Sequence, residues 1–278
     1  MVFYLGTHRP NWLAQLDVPL MVSHRVLAGR RRLPRARAPW VLDSGGFTEL
    51  ALHGRWQVTP ADYVMAVRRY AEQIGLMAWA SPQDWMCEPF MLARTCLTVA
   101  EHQARTVGNY LELRALAPEL PFIPVLQGWT LADYQACLAR YERAGVDLTT
   151  VPLVGLGSVC RRQHTAQIHA VIRALADAGL RLHGFGVKTK GLAAYADGLE
   201  SADSLAWSLR ARRSPALPGC RTHRNCANCA RYALRWRANV LRELDRPRQQ
   251  RLRWEARSEA GKQVGRADGA PSEAEGAS

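Results

Sequence analysis

Lysine and long apolar runs are both scarce in this chain of 278 residues. No apolar run approaches the roughly 20 residues that are needed to cross a bilayer, so we expect no membrane span. Residues 1–10 lack the basic, apolar and small-residue regions of a signal peptide. A cytoplasmic location is therefore expected.

Acidic side chains are also in deficit. There are 24 Asp and Glu residues against 37 Lys and Arg residues, and the formal net charge is +13. Arginine supplies nearly all of the positive charge, and its planar guanidinium makes bidentate contacts with phosphate oxygens. The charge favours a polyanionic partner, although a genome rich in G and C would enrich arginine in the same way. The arginines cluster at 30–37 and 210–257, where they could grip phosphates on either side of a barrel mouth.

Cysteine is isolated at four positions and clustered at three. The cluster has the pattern Cys-x2-His-x2-Cys-x2-Cys, formed by Cys220, His223, Cys226 and Cys229. Three thiolates and an imidazole make a closed tetrahedral set that suits structural Zn²⁺. In a reducing cytosol such a cluster indicates a metal site rather than disulfides, with a chance grouping of free cysteines as the alternative.

Short apolar runs alternate with amphipathic stretches, which is typical of βα units around a parallel sheet. The candidate strands are residues 2–6, 20–23, 40–42, 76–80, 122–126, 151–156, 182–187 and 200–204. The length suits one α/β barrel, which commonly has about 250 residues. Periodicity alone allows a closed (β/α)8 barrel or an open doubly wound sheet, and only the motifs favour closure.

Helices are predicted between these strands. Thr59 as N-cap and Pro60 in the first turn mark a helix over 60–74. Further helices are predicted over 90–117, 131–144, 163–178 and 230–244. We expect a barrel over 1–209, an Arg-rich zinc-binding subdomain with a closing helix over 210–257, and a disordered tail over 258–278, which lacks an apolar stripe.

Polar residues recur where the predicted strands end. Asp43 follows one strand, Asp84 another and Gln127 a third, while Gly155 and Asp203 belong to two more strand ends. Asp43 alone could be an N-cap in a turn. Recurrence at several strand ends instead favours convergence at the mouth of a barrel, where barrel enzymes place their catalytic groups.

Four motifs in this order resemble the guanine transglycosylase family. They are DSGGF at 43–47, VLQG at 125–128, VGLGS at 154–158 and SADSLAWS at 201–208, within a resemblance that spans most of residues 1–236. The family comprises the queuine and archaeosine tRNA-guanine transglycosylases and their DNA-modifying relatives, the DpdA-like deazapurine DNA transglycosylases. The resemblance implies a zinc-bearing barrel that replaces guanine in a polynucleotide by a 7-deazaguanine.

The resemblance also implies roles for individual residues. Asp203 would be the nucleophile that forms a covalent glycosyl intermediate, and Asp43 would be the general acid and base. Substrate contacts are implied for Ser44, Gly45, Gly46, Phe47, Asp84, Gln127, Gly128, Gly155, Leu156 and Gly157. Among the nearby side chains, Phe47, Trp85 or Met86 could stack on the purine or simply pack in the core.

The sequence also departs from the tRNA enzymes. Thr48 stands where many of them have Gln, and the chain is shorter. The cysteines of the tRNA enzymes are spaced Cys-x-Cys-x2-Cys and are joined by a distant His. Because this spacing differs, the sequence leaves open whether His223 is the fourth ligand. The segment around Asp203 is more similar to the DNA-modifying branch, so DNA is the favoured substrate and a preQ0-type base the favoured insert. This suggests a bacterial or phage-infected cell.

Three other functions remain open. One is a tRNA transglycosylase of the queuosine or archaeosine type. Another is a non-catalytic nucleic-acid-binding homologue, against which the presence of both Asp43 and Asp203 argues. The third is a barrel metal hydrolase, which would need a His-rich cluster at the strand ends. The sequence does not indicate an oligomeric state.

Overall fold

Eight short parallel strands form one curled sheet in the computed structural model, which describes residues 1–160, 166–187, 192 and 194–246. The strands are β1 (Val2–Thr7), β2 (Leu20–Ser23), β3 (Trp40–Asp43), β4 (Met77–Ala80), β5 (Val125–Leu126), β6 (Val154–Leu156), β7 (Leu182–Gly184) and β8 (Ser201–Ser204). Their order in the sheet is β4-β3-β2-β1-β8-β7-β6-β5. Strands that are consecutive in the chain are therefore neighbours, as in a barrel.

The two edges of this sheet meet at Ala80. Its N–H donates to the Pro121 carbonyl at 3.0 Å, and its carbonyl accepts from the Ile123 N–H at 3.1 Å. β4 is thereby bridged to the segment that leads into β5. The prediction of a TIM-type α/β barrel is confirmed, and the open doubly wound alternative is wrong.

Helices lie between the strands and after β8. They are α1 (Trp12–Gln15), α2 (His24–Leu27), α3 (Gly46–His53), α4 (Pro60–Ile74), α5 (Pro89–Thr95), α6 (Val99–Leu116), α7 (Leu131–Arg143), α8 (Ala166–Asp177), α9 (Ala206–Arg212) and α10 (Ala230–Leu244). The predicted bounds of α4 and α10 are confirmed. Thr59 caps α4 as predicted, because its side chain accepts from the Asp62 N–H. Among the described residues, every helix is too short or too polar to span a bilayer.

The single helix predicted over 90–117 is wrong, since α5 and α6 are separate helices. Cys96 ends α5 in a left-handed conformation with φ 56°. Thr98 then starts α6 with a capping box, in which its side chain accepts from the Glu101 N–H and the Glu101 side chain accepts from the Thr98 N–H.

Some predicted strands are also too long. Pro124 has no N–H to donate to a neighbouring strand, and β5 begins only after it.

The strand pleat separates two apolar regions. Alternate residues point outward and pack under the helices, among them Leu5, Val22 and Leu42. The intervening residues fill the barrel interior, where Tyr4, Met21, Val41, Trp79 and Ile123 form one cluster. Because side chains alternate along a strand, the inward positions two residues further along, such as Gly6, Ser23 and Asp43, lie above this cluster at the C-terminal ends of the strands.

The chain beyond β8 packs back onto β1. Trp236 of α10 belongs to the main core, and its ring centroid lies 5.9 Å from that of Phe3. The Arg237 guanidinium donates to the Phe3 carbonyl at 3.2 Å. The boundaries predicted at 209 and 257 stay predictions. The tail predicted over 258–278 and the start of the helix predicted at 163 lie outside the described residues.

Trp207 joins α9 to β1, and its replacement by Phe should lower stability. Its indole is fully buried, donates to the Gly6 carbonyl at 2.8 Å and stacks on Trp12 at 5.3 Å. Trp207→Phe leaves that carbonyl without its donor, which we expect to cost about 1–3 kcal/mol in urea unfolding. The exposed Leu209 lies on the same helix, and Leu209→Ala should change stability by no more than about 0.5 kcal/mol. Equal effects of the two substitutions would contradict this role for Trp207.

Candidate active site

A cavity of about 260 Å³ opens at the C-terminal ends of the strands. Its lining includes Thr7, Ser23, Asp43, Ser81, Asp84, Gln127, Gly157 and Asp203. Pockets that bind small molecules commonly have volumes of about 300 Å³ or more, so this cavity suits a single small ring system rather than a large ligand. It occupies the end of the barrel at which barrel enzymes carry out their chemistry.

Asp43 and Asp203, 160 positions apart in the sequence, both line this cavity. Asp43 ends β3 and accepts from the Gly45 N–H at 3.1 Å. Asp203 lies in β8, where its Oδ1 accepts from the Gly186 N–H at 2.7 Å. Gly186 has φ +62°, a conformation that favours glycine and that aims its N–H at the carboxylate. Each acid is thus held by a neighbouring backbone N–H.

Burial and mutual repulsion raise the pKa values of two carboxyl groups in the cavity. Burial raises the pKa of Asp43 to about 6; a hydrogen bond from Ser23 opposes this shift, and the negative charge of Asp203 adds to it. Burial likewise raises the pKa of Asp84 to about 7, with a further contribution from the charge of Asp43. Both groups therefore exchange protons near neutral pH, as a general acid or base must.

Asp84 belongs to a buried chain of hydrogen bonds. Its Oδ2 accepts from Gln127 Nε2 at 2.6 Å, and its Oδ1 accepts from Ser44 Oγ at 3.3 Å. The amide oxygen of Gln127 accepts from Ser158 Oγ at 2.7 Å. Ser158 Oγ also lies 3.1 Å from Glu88 Oε2. Since Asp84 and Ser158 contact opposite ends of the amide, they determine which way Gln127 points.

Glycine is required at three closely packed positions in the cavity wall or directly behind it. A Cβ on Gly157 would lie 2.2 Å from Gln127 Nε2, and one on Gly155 would lie 2.5 Å from Phe185. Gly45 has φ +81°, and a Cβ there would meet the Arg25 side chain at 2.6 Å. These positions allow the neighbouring side chains to close around the cavity.

The structure does not bring every predicted substrate residue to the cavity. The residues that line it are Phe47, Asp84, Gln127 and Gly157. Ser44 lies behind Asp84 and donates a hydrogen bond to it. The others lie behind the cavity: Gly45 and Gly46 at the start of α3, Gly128 against α7, Gly155 below Phe185 and Leu156 in the outer core. Of the predicted stacking residues, Phe47 and Met86 line the cavity. Trp85 instead packs on His102, and the Arg105 guanidinium lies over the Trp85 ring, with its Cζ 4.5 Å from the ring centroid. The roles of these residues stay predictions.

Sequence reasoning assigned no role to several residues of this site, among them Glu88, Ser158, His183 and Gly186. Glu88 and Ser158 are buried in the hydrogen-bonded chain, and His183 lies against Asp203 with Nε2 3.4 Å from Oδ1. Ser158 belongs to the VGLGS motif, which was a signal that could have found it. His183 could have been found by counting alternate positions along β7, once its inward face was known.

The four predicted metal ligands come together. The ligand atoms of Cys220, His223, Cys226 and Cys229 all lie within 4.8 Å of one another. The Sγ atoms of Cys220 and Cys229 are 4.0 Å apart, and His223 Nε2 is 3.3 Å from Cys226 Sγ. Zn–S bonds of about 2.3 Å place two sulfur ligands of a tetrahedral ion about 3.8 Å apart. The cluster therefore fits a structural zinc ion.

The loop that carries the four ligands, residues 220–229 (the cysteine loop), is attached to the barrel through α9. Ser208 Oγ donates to the Ala227 carbonyl at 2.8 Å, and the Asn228 side chain is hydrogen-bonded to His8, which follows β1. Next to Ser208, Trp207 holds the end of β1. A metal ion in this loop would therefore stabilise the barrel wall between β8 and β1.

The arginine clusters are distributed differently from what was expected. Arg35 and Arg37 precede β3, and Arg35 donates to the carbonyl of Glu72 near the end of α4. They lie at the N-terminal ends of the strands, so the expectation that residues 30–37 flank the mouth is wrong for this part. Arg210 and Arg212 lie in the last turn of α9, the helix that follows the C-terminal end of β8.

A TIM-type barrel with two carboxylates at its mouth and a Cys3His cluster after the last strand is the combination that the guanine transglycosylase class implies. Within that class the chain matches the DpdA family, DeoxyPurine in DNA protein A, over residues 1–269, and it belongs to that family. The predicted resemblance to the DpdA-like branch is thereby confirmed. Family membership supports a transglycosylase that acts on DNA. No curated protein matches the chain.

Removal of one cysteine should release the metal. Cys226 is fully buried, and its Sγ also accepts from the Leu217 N–H at 3.3 Å. We expect about one zinc ion per chain in the wild-type protein and a large loss in Cys226→Ser, measured by elemental mass spectrometry after dialysis. Cys96→Ser replaces an exposed cysteine outside the cluster and should retain the metal. A wild-type protein that takes up no zinc would exclude the site.

Replacement of Asp43 should change how stability depends on pH. Because its pKa is raised to about 6 in the folded state, the unfolded chain loses this proton first, and stability falls as the pH rises from 4 to 7. The amide in Asp43→Asn does not ionise, so this pH-dependent loss of stability is absent from the variant. We expect its free energy of unfolding, relative to wild type, to be about 1–3 kcal/mol larger at pH 7.5 than at pH 4, which means that the variant is relatively more stable at the higher pH. The exposed Asp17→Asn is the control, and a difference for Asp43→Asn that does not change with pH would contradict the shift.

Proposed function

We propose that this protein exchanges guanine in DNA for a 7-deazaguanine such as a preQ0-type base. The observation that carries the proposal is the convergence of Asp43 and Asp203 on one small cavity beside the Asp84 and Gln127 pair. Two carboxylates allow a two-step displacement, in which one attacks and the other moves the proton. Membership of the DpdA family supports DNA as the polymer.

In the first step, Asp203 attacks C1′ of the deoxyguanosine. Oδ1 already accepts from the Gly186 N–H, so Oδ2 is the oxygen with fewer fixed contacts. A C1′–O bond forms as the C1′–N9 bond breaks, and guanine leaves with the electron pair of that bond. Asp43, with its pKa near 6, donates a proton to the departing base. The product is a glycosyl ester of Asp203 with an intact phosphate backbone.

In the second step, the incoming 7-deazaguanine occupies the same cavity. Asp43, now ionised, accepts the proton from N9 of this base, and N9 attacks C1′. The ester bond breaks, and its electron pair returns to Asp203. Both carboxyl groups are then in their starting states, so the cycle needs neither an oxidant nor an energy source.

Asp84 and Gln127 are placed to recognise the purine. When Asp84 is ionised, it can accept from N1–H and the exocyclic amine of guanine, and the Gln127 amide N–H can donate to O6. Guanine and 7-deazaguanine share this edge, so one site serves both bases. The cavity lies at the barrel mouth among Phe47 and Met86 and cannot enclose a stacked base, so the nucleotide must be extruded from the helix first.

The metal, when bound, supplies structural cross-linking. None of the four cluster residues lines the cavity. They fit the ion by their donor set and spacing, and their loop contacts α9 and the segment after β1. The carboxylates of the chain therefore carry out the exchange, and the cluster maintains the wall that holds Asp203.

Asp203→Asn tests the assignment of the nucleophile. The protein is incubated with duplex DNA and isotopically labelled 7-deazaguanine, and the nucleosides are then measured by mass spectrometry. We expect the wild type to yield labelled deoxynucleoside and Asp203→Asn to lose at least about 10³-fold in rate, because an amide cannot form the ester. Asp17→Asn, an exposed acid, should match the wild type.

A parallel reaction with tRNA separates the two polymers. Label in DNA alone supports the proposal, and label in tRNA alone identifies a tRNA transglycosylase. Unchanged exchange by Asp203→Asn would refute the covalent mechanism. Binding of DNA without any exchange by the wild type would indicate the non-catalytic homologue.

A further inference from the structure

His183 is a fully buried imidazole below the cavity, and the steps above do not use it. It lies in β7 opposite Ser201 of β8, and both side chains face the barrel interior. Its Nδ1 is 2.9 Å from Ser201 Oγ, and its Nε2 is 3.4 Å from Asp203 Oδ1. Within the part of the chain that the structure describes, Nε2 is buried without a hydrogen-bond partner, and its contact with Oδ1 is an approach of the two atoms without hydrogen-bond geometry. The ring thus bridges two side chains that are two residues apart on the neighbouring strand.

The surroundings of the ring favour one tautomer. With Nε2 protonated, Nδ1 accepts from the Ser201 hydroxyl and Nε2–H faces the Asp203 carboxylate. The opposite tautomer turns a lone pair of Nε2 toward that carboxylate, which is repulsive, and leaves a buried polar atom without a donor. A separation of 3.4 Å is long for a hydrogen bond, but catalytic contacts are often long before substrate binds and shorten in the complex.

Aromatic side chains prevent the imidazole from turning away. Its ring centroid lies 4.6 Å from that of Trp79, 4.7 Å from that of Phe185 and 6.1 Å from that of Tyr4, all in edge contacts. The ring is completely shielded from solvent. The direction of Nε2 is therefore determined by packing, as preorganised catalysis requires of a supporting group.

We propose that His183 is a positioning residue for Asp203, an inference that rests on the proposed function. The Gly186 N–H already binds Oδ1, and when substrate is bound Nε2–H closes its 3.4 Å gap to the same oxygen, so that the two donors together fix the plane of the carboxylate. Oδ2 is left to point into the cavity as the oxygen that attacks C1′. His183 does not touch the sugar or the base; it acts through Asp203.

Two substitutions separate positioning from packing. His183→Gln keeps an N–H donor where Nε2 stands, whereas His183→Met fills a similar volume without one. We expect His183→Met to slow formation of the covalent intermediate in a single turnover by about 10- to 100-fold, the loss that follows from one hydrogen bond to a charged group. KM for DNA should stay within about twofold, because remote contacts bind the polymer. His183→Gln should recover most of the rate.

Two kinetic outcomes would overturn the proposal: a wild-type rate in His183→Met, or equal losses of rate in the Gln and Met variants. The ¹⁵N resonances of His183 in the wild-type full chain provide a second measurement that needs no variant. Protonated Nε2 beside Asp203 supports the proposal, and a ring protonated only at Nδ1 overturns it. If Asp203→Asn retains exchange, the proposed function fails. If Asp203→Asn is inactive but His183→Met is not slowed, only the positioning role fails.

Discussion

The register of the parallel strands is the constraint on which the site depends. Tyr4 lies opposite Asp203 between β1 and β8, and Ser23 lies opposite Asp43 between β2 and β3. Because side chains alternate along each strand, a slip of one residue would turn these carboxylates outward, under the helices. The bridge at Ala80 joins the two edges of the sheet, so the strand ends face a common interior. The cavity is therefore a consequence of pleat and closure together.

A cavity with several carboxyl groups is stable only if their charges are managed. Asp84 is hydrogen-bonded to Gln127 and Ser44, and Asp203 is held by the Gly186 N–H. Burial and mutual repulsion raise the pKa of Asp43 to about 6 and that of Asp84 to about 7, so a proton is shared among them at neutral pH. The same arrangement that costs stability provides the proton that base exchange needs.

The segment after β8 supports this site from outside. Trp207 donates to the carbonyl of Gly6, Ser208 binds the cysteine loop, and Arg237 of α10 donates to the carbonyl of Phe3. β1 and β8 are adjacent, and Asp203 lies in β8. A metal in the cysteine loop and the closing helix thus stabilise the same part of the wall, although neither contributes a side chain to the cavity lining.

Local signals in the sequence determined the alternation of strands and helices, the start of α4 at Thr59 and Pro60, the ligand set around Cys226, and the carboxylates at strand ends, because caps, periodicity and spacing act over a few residues. Only the tertiary structure decided that Gly128 lies behind the cavity, that Arg35 lies at the opposite end, and that His183 contacts Asp203. Those relations depend on which face of each buried strand turns inward, and strand pairing across the barrel sets that face.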